Sequence, residues 1–449
     1  MFFGALVSRS VWMREAPFHP DESTVLWMAL DATRGLEIPD HGLVSSYHFF
    51  QPPGLVWLTM PFVALGGGRP EGVIIAFALL NASAVALLVS TVARTWGIVY
   101  AAVLGALVVV GPDAFISAWI WHPSLYTAVL AIMLSAGIRI QLGSPWWALV
   151  LVAAPGLYGL VHYSGVVLLA PALALLLLSN RTLRSLLVPA FSGTALVGLA
   201  WLPFLSFQVH RSFIDLEAVV SAANSSTTIG EKLESRLQGF AFALSSVGHA
   251  HGGGGFLPYV IATMVMFAVL VALLHKRWSD PGFALPASML ATGIAAQTAV
   301  DQASRTDVLM VWLVPTYALA AWSVVQLTSL VRPAIDRRSA AVIVTGTVVF
   351  GLSCIGIVDL HNAIRKTAPA QRLGEQWRTA RSSSPVRYEA AYDPGRSVNR
   401  FYLPCDPPYD WGAEIWYLRE ILSPGRGRQE AVEGGAFRSR QPPPCPQRP

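Results

Sequence analysis

The sequence predicts an all-α, multi-pass membrane protein, a bundle of about 11 transmembrane helices with interfacial helices in a long first loop. Three observations lead there. Of 449 residues, 54% are hydrophobic and 13% charged, against about 25% charge in soluble domains. Apolar runs close to the roughly 20 residues that a bilayer demands recur along the chain. The basic residues sit in alternate short connections between those runs, which is a topology signal.

The expected spans are 1–14, 71–93, 97–112, 123–142, 146–161, 163–179, 185–207, 256–274, 282–300, 308–330 and 339–360. The first is short for a crossing, so either the start lies further upstream or the helix is partial. Met1 to Trp12 shows no basic leading region and no small-residue cleavage site, so no cleavable signal is expected. Only His162 and its neighbours separate 146–161 from 163–179. With residues after 14 placed outside, Arg94, Arg139, Arg181 with Arg184, Lys276 with Arg277, and Arg332 with Arg337 and Arg338 all fall inside. Fusing the pair at His162 would break that alternation, so two spans are expected.

Two segments outside are large. Residues 15–70 form the first extracytoplasmic loop. Within it "ESTVLWMALDATRGL" repeats its apolar positions at helical spacing, an interfacial helix over 22–35 with Trp27 and Leu30 toward lipid or protein. Residues 54–66, "GLVWLTMPFVALG", read as a second interfacial or re-entrant helix. Residues 208–255 form another large loop. The membrane domain is therefore 1–361, and 362–449 a small C-terminal extracytoplasmic segment ending in a disordered tail, "QPPPCPQRP". Cys405 and Cys445 would share an oxidising compartment, where they either pair or remain two thiols; Cys354 lies within a span as a small apolar residue. The absence of an internal repeat weighs against transporters built from duplicated halves.

Titratable groups gather on the outer face. Asp21, Glu22, Asp113 and Asp301 lie there, as do nine of the ten histidines, His275 being the exception. The net charge of +5 belongs to the inner loops, so nucleic-acid binding is not expected. No Asp-x-Asp pair and no Gly-rich phosphate loop marks a soluble nucleotide-sugar site. His249 and His251 precede "GGGG" with a spacing that fits no closed zinc site, so no metal and no cofactor is expected.

The adjacent acids of "FHPDEST" stand out. One reading is structural: Pro20 and the acids start the 22–35 helix and oppose its dipole. The other is chemical, because ionisable groups at membrane depth cost about 2.5–3.5 kcal/mol and are functional candidates by default. An acid at a lipid–water boundary can take a proton from an acceptor hydroxyl.

The order "HPDEST", "ATRGLEIPDHG", "QPPGLVWL" resembles the GT-C superfamily of membrane glycosyltransferases, in its protein-mannosyltransferase and lipid A aminoarabinose transferase branch (glycosyltransferase family 39-like). "WIWHPSLYTAVLAIML" and "GLVHYSGVVLLAPALALLLL" are similar to bacterial members, and the likeness covers roughly residues 1–330. It implies a GT-C-like bundle and a polyprenyl-phosphate sugar donor. Asp21 matches the family's first-loop acid, a general base, and Glu22 its neighbour, which orients donor or acceptor. The sugar is transferred with inversion while lipid phosphate departs. The family's Lys before "PP" is here Gln51, and its second acid opening the fourth span is here His122. Asp113 either substitutes for that acid or caps a turn after Pro112. Arg305 resembles a late family Arg and suits a phosphate; it otherwise anchors at the interface or pairs with Asp301 or Asp307. His48 beside the donor phosphate and His162 at the acceptor side are further candidates, each alternatively a structural hydrogen-bonded imidazole.

The expected protein is thus a multi-pass enzyme of the plasma (inner) membrane, a hexosyl- or pentosyltransferase working at the extracytoplasmic face. Its partners are membrane lipid, a polyprenyl-phosphate sugar and an acceptor that is protein, lipid or glycan. Within the superfamily, mannosyl- and arabinofuranosyltransferases of envelope glycan fit the same residues. A polyprenyl-lipid flippase would need charges along a mid-bilayer path, and an inactive scaffold would accommodate Gln51 and His122 as they stand.

Overall fold

A computed structural model describes residues 1–11, 13–16, 18, 20–36, 38–43, 49–111, 114, 117, 119–179, 181–217, 230, 257–300, 312–330, 337–366, 372–381, 417–418, 421–422 and 424. Among them the regular secondary structure is helical throughout. Helix α1 is Phe2–Ser10, α2 Pro20–Thr33, α3 Gly54–Leu65, α4 Pro70–Thr95 and α5 Ile98–Val110. A 3₁₀ turn, His122–Leu125, leads into α6, Tyr126–Gln141. Then come α7 (Trp147–Val161), a 3₁₀ stretch (Tyr163–Leu168), α8 (Leu169–Leu177) and α9 (Leu183–His210). The chain continues with α10 (Leu257–Leu274), α11 (Pro281–Val300), α12 (Leu313–Leu330), α13 (Arg337–Lys366) and α14 (Leu373–Arg381).

Among the described residues three helices are long and apolar enough to cross a membrane: Pro70–Thr95, His122–Gln141 and Leu183–His210. Helix α4 shows why it forms: Pro70 sits in its first turn, Glu71 opposes the positive end of the dipole, and Arg94 lies in its last turn. The other expected spans also carry helices, with shifted ends. The first-loop helix begins at Pro20, so Asp21 and Glu22 are inside its first turn rather than ahead of it. The fourth span opens as a 3₁₀ turn, His122–Leu125, ahead of the α-helix. Helix α1 has only nine residues, and Met1 lies against Gly105, midway along α5.

The break expected at His162 is present. His162 is extended, at φ −161° and ψ 140°, between α7 and the 3₁₀ stretch. The chain turns back on itself there, and a Cβ on Gly165 would come within 2.3 Å of the Gly159 nitrogen. Only a residue without a side chain permits that approach.

The interior is built around α4, α5, α6 and α12. Helix α12 buries Trp312, Leu313, Tyr317 and Trp322, and it packs on α5, α10 and α11. The Tyr100 hydroxyl on α5 lies 3.0 Å from the Gly282 carbonyl and 2.8 Å from that of Ala318, joining α5, α11 and α12. Helix α9 differs: it packs chiefly on α7 and leaves Leu187, Phe191, Leu199 and Leu202 exposed, the apolar face expected of a lipid-facing helix.

The two ends of this bundle carry different groups. At one end Arg139 reaches Thr91 and lies 4.7 Å over the Trp147 ring, while Arg181 donates to the Ile140 carbonyl. At the other end lie the acidic pair, the paired histidines and the described part of the C-terminal segment.

Candidate active site at the acidic end

Residues 20–24 put two carboxylates in the first turn of α2, where the free amides and helix dipole favour negative charge. Their environments differ. Asp21 is half-buried, whereas Glu22 is 2% exposed. The Glu22 carboxylate accepts the backbone amide of Ile120 at 3.0 Å, tying α2 to the segment that opens α6. A buried carboxylate must be hydrogen-bonded to be tolerated, and this bond fixes the helix end to the bundle.

Ile120 leads into an aromatic and histidine cluster. The Trp119 and Trp121 rings stack at 6.3 Å, and Trp121 meets His122 edge-on at 4.8 Å. His122 in turn stacks on His162, with ring centroids 3.6 Å apart and planes 5° apart. The Tyr158 hydroxyl donates to the His122 carbonyl at 3.0 Å. Ser164 ties down the second ring: its backbone amide donates to His162 Nδ1 at 3.2 Å, and its Oγ lies 2.7 Å from the same nitrogen. A backbone N–H can only donate, so Nδ1 is the acceptor and the neutral ring carries its proton on Nε2. The Ser164 hydroxyl therefore donates to Nδ1 and accepts from Tyr126 at 2.9 Å. The result is a chain, Tyr126 to Ser164 to His162.

The loop carrying Gln51 enters the same end. Gly42 donates to the Gln51 carbonyl at 2.6 Å and Gln51 to that of Leu43 at 2.7 Å, which pairs residues 42–43 with Gln51. Asp215, 1% exposed, accepts from the Phe50 amide, the Gln208 side chain and Arg211. Arg211 lies 4.7 Å over the Phe50 ring and 5.5 Å from that of Phe207, and the Tyr163 hydroxyl donates to the Phe50 carbonyl. Gly54 then lets α3 start against α7: a Cβ there would meet the Leu160 carbonyl carbon at 2.6 Å, two residues before His162.

No protein-family model matches the chain, and no curated protein sequence does. Solved structures do. The crystal structure of ArnT from Cupriavidus metallidurans bound to undecaprenyl phosphate aligns over 84% of this chain and 77% of its own, at a TM-score of 0.57 and 15% identity. The apo state of the same protein aligns over 84% and 76%, at 0.54 and 14%. The chain has the fold of ArnT.

On this ArnT-like frame the residues singled out in the sequence fall into three groups. Glu22, His122 and His162 are brought together through Ile120 and the ring stack, with Asp21 adjoining Glu22. Gln51 enters alongside through the Gly54–Leu160 approach; its Oε1 is buried and has no hydrogen-bond partner among the described residues. His48, Asp113 and Arg305 lie outside the described residues, as do His249, His251, Asp301, Asp307, Cys405 and Cys445. Trp27 and Leu30 face protein, not lipid: both are buried, Trp27 edge-on to Tyr417 at 5.4 Å.

Sequence reading missed several buried polar groups. Arg9 is fully buried and donates to the Val108 carbonyl at 3.0 Å. A lone arginine inside an apolar run was the available signal, since a membrane-depth cation marks a site by default. Tyr126, Tyr158 and Ser164 gave no such signal, being ordinary residues of apolar helices until the fold aligns their hydroxyls. Among the described residues no group of three or more His, Cys, Asp or Glu side chains could hold a metal ion.

Proposed function

We propose that this protein is a multi-pass plasma-membrane glycosyltransferase that moves a sugar from a polyprenyl-phosphate donor to an acceptor at the extracytoplasmic face. The observation that carries the reading is the acidic pair, one carboxylate buried and bonded to Ile120 and its neighbour half-buried beside it. It stands at the outer end of a fold shared with ArnT, whose crystal structure was solved with undecaprenyl phosphate.

In this reading the two carboxylates divide the work. Glu22 anchors the first turn of α2 through Ile120, and Asp21 takes the proton of the acceptor hydroxyl as that oxygen attacks the anomeric carbon. The new C1–O bond forms on the face opposite the departing phosphate, the C1–O bond to phosphate breaks, and the configuration inverts. The sugar passes through an oxocarbenium-like state, and polyprenyl phosphate leaves as an anion without needing a proton. Arg305, His48 and the Gln51 amide are the candidate partners of that phosphate. His122, His162 and Asp113 are the candidates for the acceptor side.

The test is sugar release from radiolabelled polyprenyl-phosphate hexoses and pentoses by the purified protein, wild type against Asp21→Asn. Turnover of one donor, reduced about 10²–10⁴-fold in the variant, is the expected result. Undiminished turnover by Asp21→Asn would remove the general base. Polyprenyl lipid crossing vesicles without a new glycosidic bond would make the protein a transporter.

A further inference from the structure

The described part of the C-terminal segment is seated on the residues that lead into the acidic pair. Helix α14 begins with two backbone bonds to the first loop: Leu373 donates to the Ala16 carbonyl at 3.0 Å and Gly374 to that of Arg14 at 2.8 Å. First-turn amides have no partner within their own helix, so α14 completes its start by docking on 14–16. Arg372 adds an ion pair to Glu15 at 2.9 Å, 23% and 40% exposed, which contributes little by itself.

One turn on, the contacts move toward α2. Gln376, 5% exposed, donates from Nε2 to the Phe18 carbonyl at 2.9 Å. Phe18 is buried and lies two residues before Pro20, the first residue of α2. Trp377 donates to Glu71 at 2.8 Å at the start of α4. Tyr417 bonds the Gly68 carbonyl and its ring meets those of Phe18 and Trp27. Gly68, at φ +82°, is the place where a Cβ would collide with Ile421 at 2.2 Å.

The Gln376 amide is poorly suited to mere packing. Its Nε2 is committed to the Phe18 carbonyl, a bond that an apolar residue of the same volume could not make. What the amide supplies is the N–H on Phe18. The entry to α2 is thereby held from two sides, by Gln376 at Phe18 and by Ile120 at Glu22.

We propose that Gln376 is a positioning residue for the acidic pair, fixing the entry to α2 through the Phe18 carbonyl so that Asp21 keeps its place against the acceptor hydroxyl. This rests on the transferase reading for its chemical consequence, though not for its structural one.

The experiment compares full-length wild type with Gln376→Leu in lipid nanodiscs, by hydrogen–deuterium exchange and by donor turnover. Exchange over the first two turns of α2, residues 21–27, should rise at least about tenfold while 373–381 stays protected. The turnover number should fall about 10–100-fold with the donor KM unchanged, the size of loss that small misplacements cause. Unchanged exchange at 21–27, or an unchanged turnover number in an active enzyme, overturns the proposal. If wild type turns over no donor, the transferase reading fails and the exchange data alone decide the positioning. If α14 itself loosens in Gln376→Leu, Gln376→Glu decides. Its side chain donates to Phe18 only when protonated, so its turnover relative to wild type should rise as pH falls. A flat ratio overturns the proposal.

Discussion

Adjacent residues of one type hold different positions here because their surroundings differ. Asp21 and Glu22 are one position apart on α2, yet Asp21 is half-buried while Glu22 is buried and accepts the Ile120 amide. Glu22→Ala should leave the buried Ile120 amide unsatisfied and cost about 1–3 kcal/mol, whereas Glu22→Gln, which keeps an acceptor, should cost less. Thermal melting of the two variants in the same detergent checks the order. The tautomer of His162 is a second residue-scale outcome. Selective ¹⁵N labelling of histidine should show His162 with an unprotonated Nδ1, and Ser164→Ala should shift that signal while leaving the His122 stack in place. Tyr417 offers a pH test outside the bundle. Burial raises its phenol well above the usual value, with Glu71 raising it further and Arg34 opposing both. The folded state then binds its proton more tightly than the unfolded state, so the contribution is complete below about pH 10 and is lost as pH rises beyond it. Unfolding midpoints that fall above that pH in wild type, and less in Tyr417→Phe, are the expected outcome.

Glycines decide how closely elements approach. At Gly54 and Gly165 a methyl group would meet backbone at 2.6 and 2.3 Å, so neither neighbour can yield by rotating a side chain. Alanine at either site should cost about 1–3 kcal/mol, as overpacking does. Gly346 in α13 has nothing within 4 Å, and alanine there should stabilise by about 0.5–1 kcal/mol on helix propensity alone. Melting temperatures of the three variants separate close approach from propensity. Gly54 and Gly165 also bound the functional end, since one seats the Gln51 segment near Leu160 and the other folds the chain beyond His162. A variant at either site should therefore lose activity along with stability.

At the scale of the molecule, Arg139 and Arg181 lie at one end of the bundle, and Asp21, Glu22 and Asp215, with Arg211, at the other. Membrane-impermeant labelling of single cysteines should modify position 40 from outside the cell and position 181 only after permeabilisation. Much of this architecture was legible without coordinates. Apolar runs locate helices because a buried backbone must bond within its own segment, and positive loops orient them. The same physics exposed the acidic pair, as charge in an apolar chain is costly wherever it occurs, and it predicted the break at His162 from charge alternation. Only the tertiary structure decided the rest. Glu22 meets Ile120, His122 stacks on His162, and Gln376 reaches Phe18 across 358 positions of sequence. Such contacts depend on helix rotation and on small residues at crossings, and a hydropathy pattern that is apolar on every face carries no information about rotation. Composition determined that this chain builds long apolar helices, because only helices satisfy a backbone away from water; packing alone determined which side chains hold its acids in place.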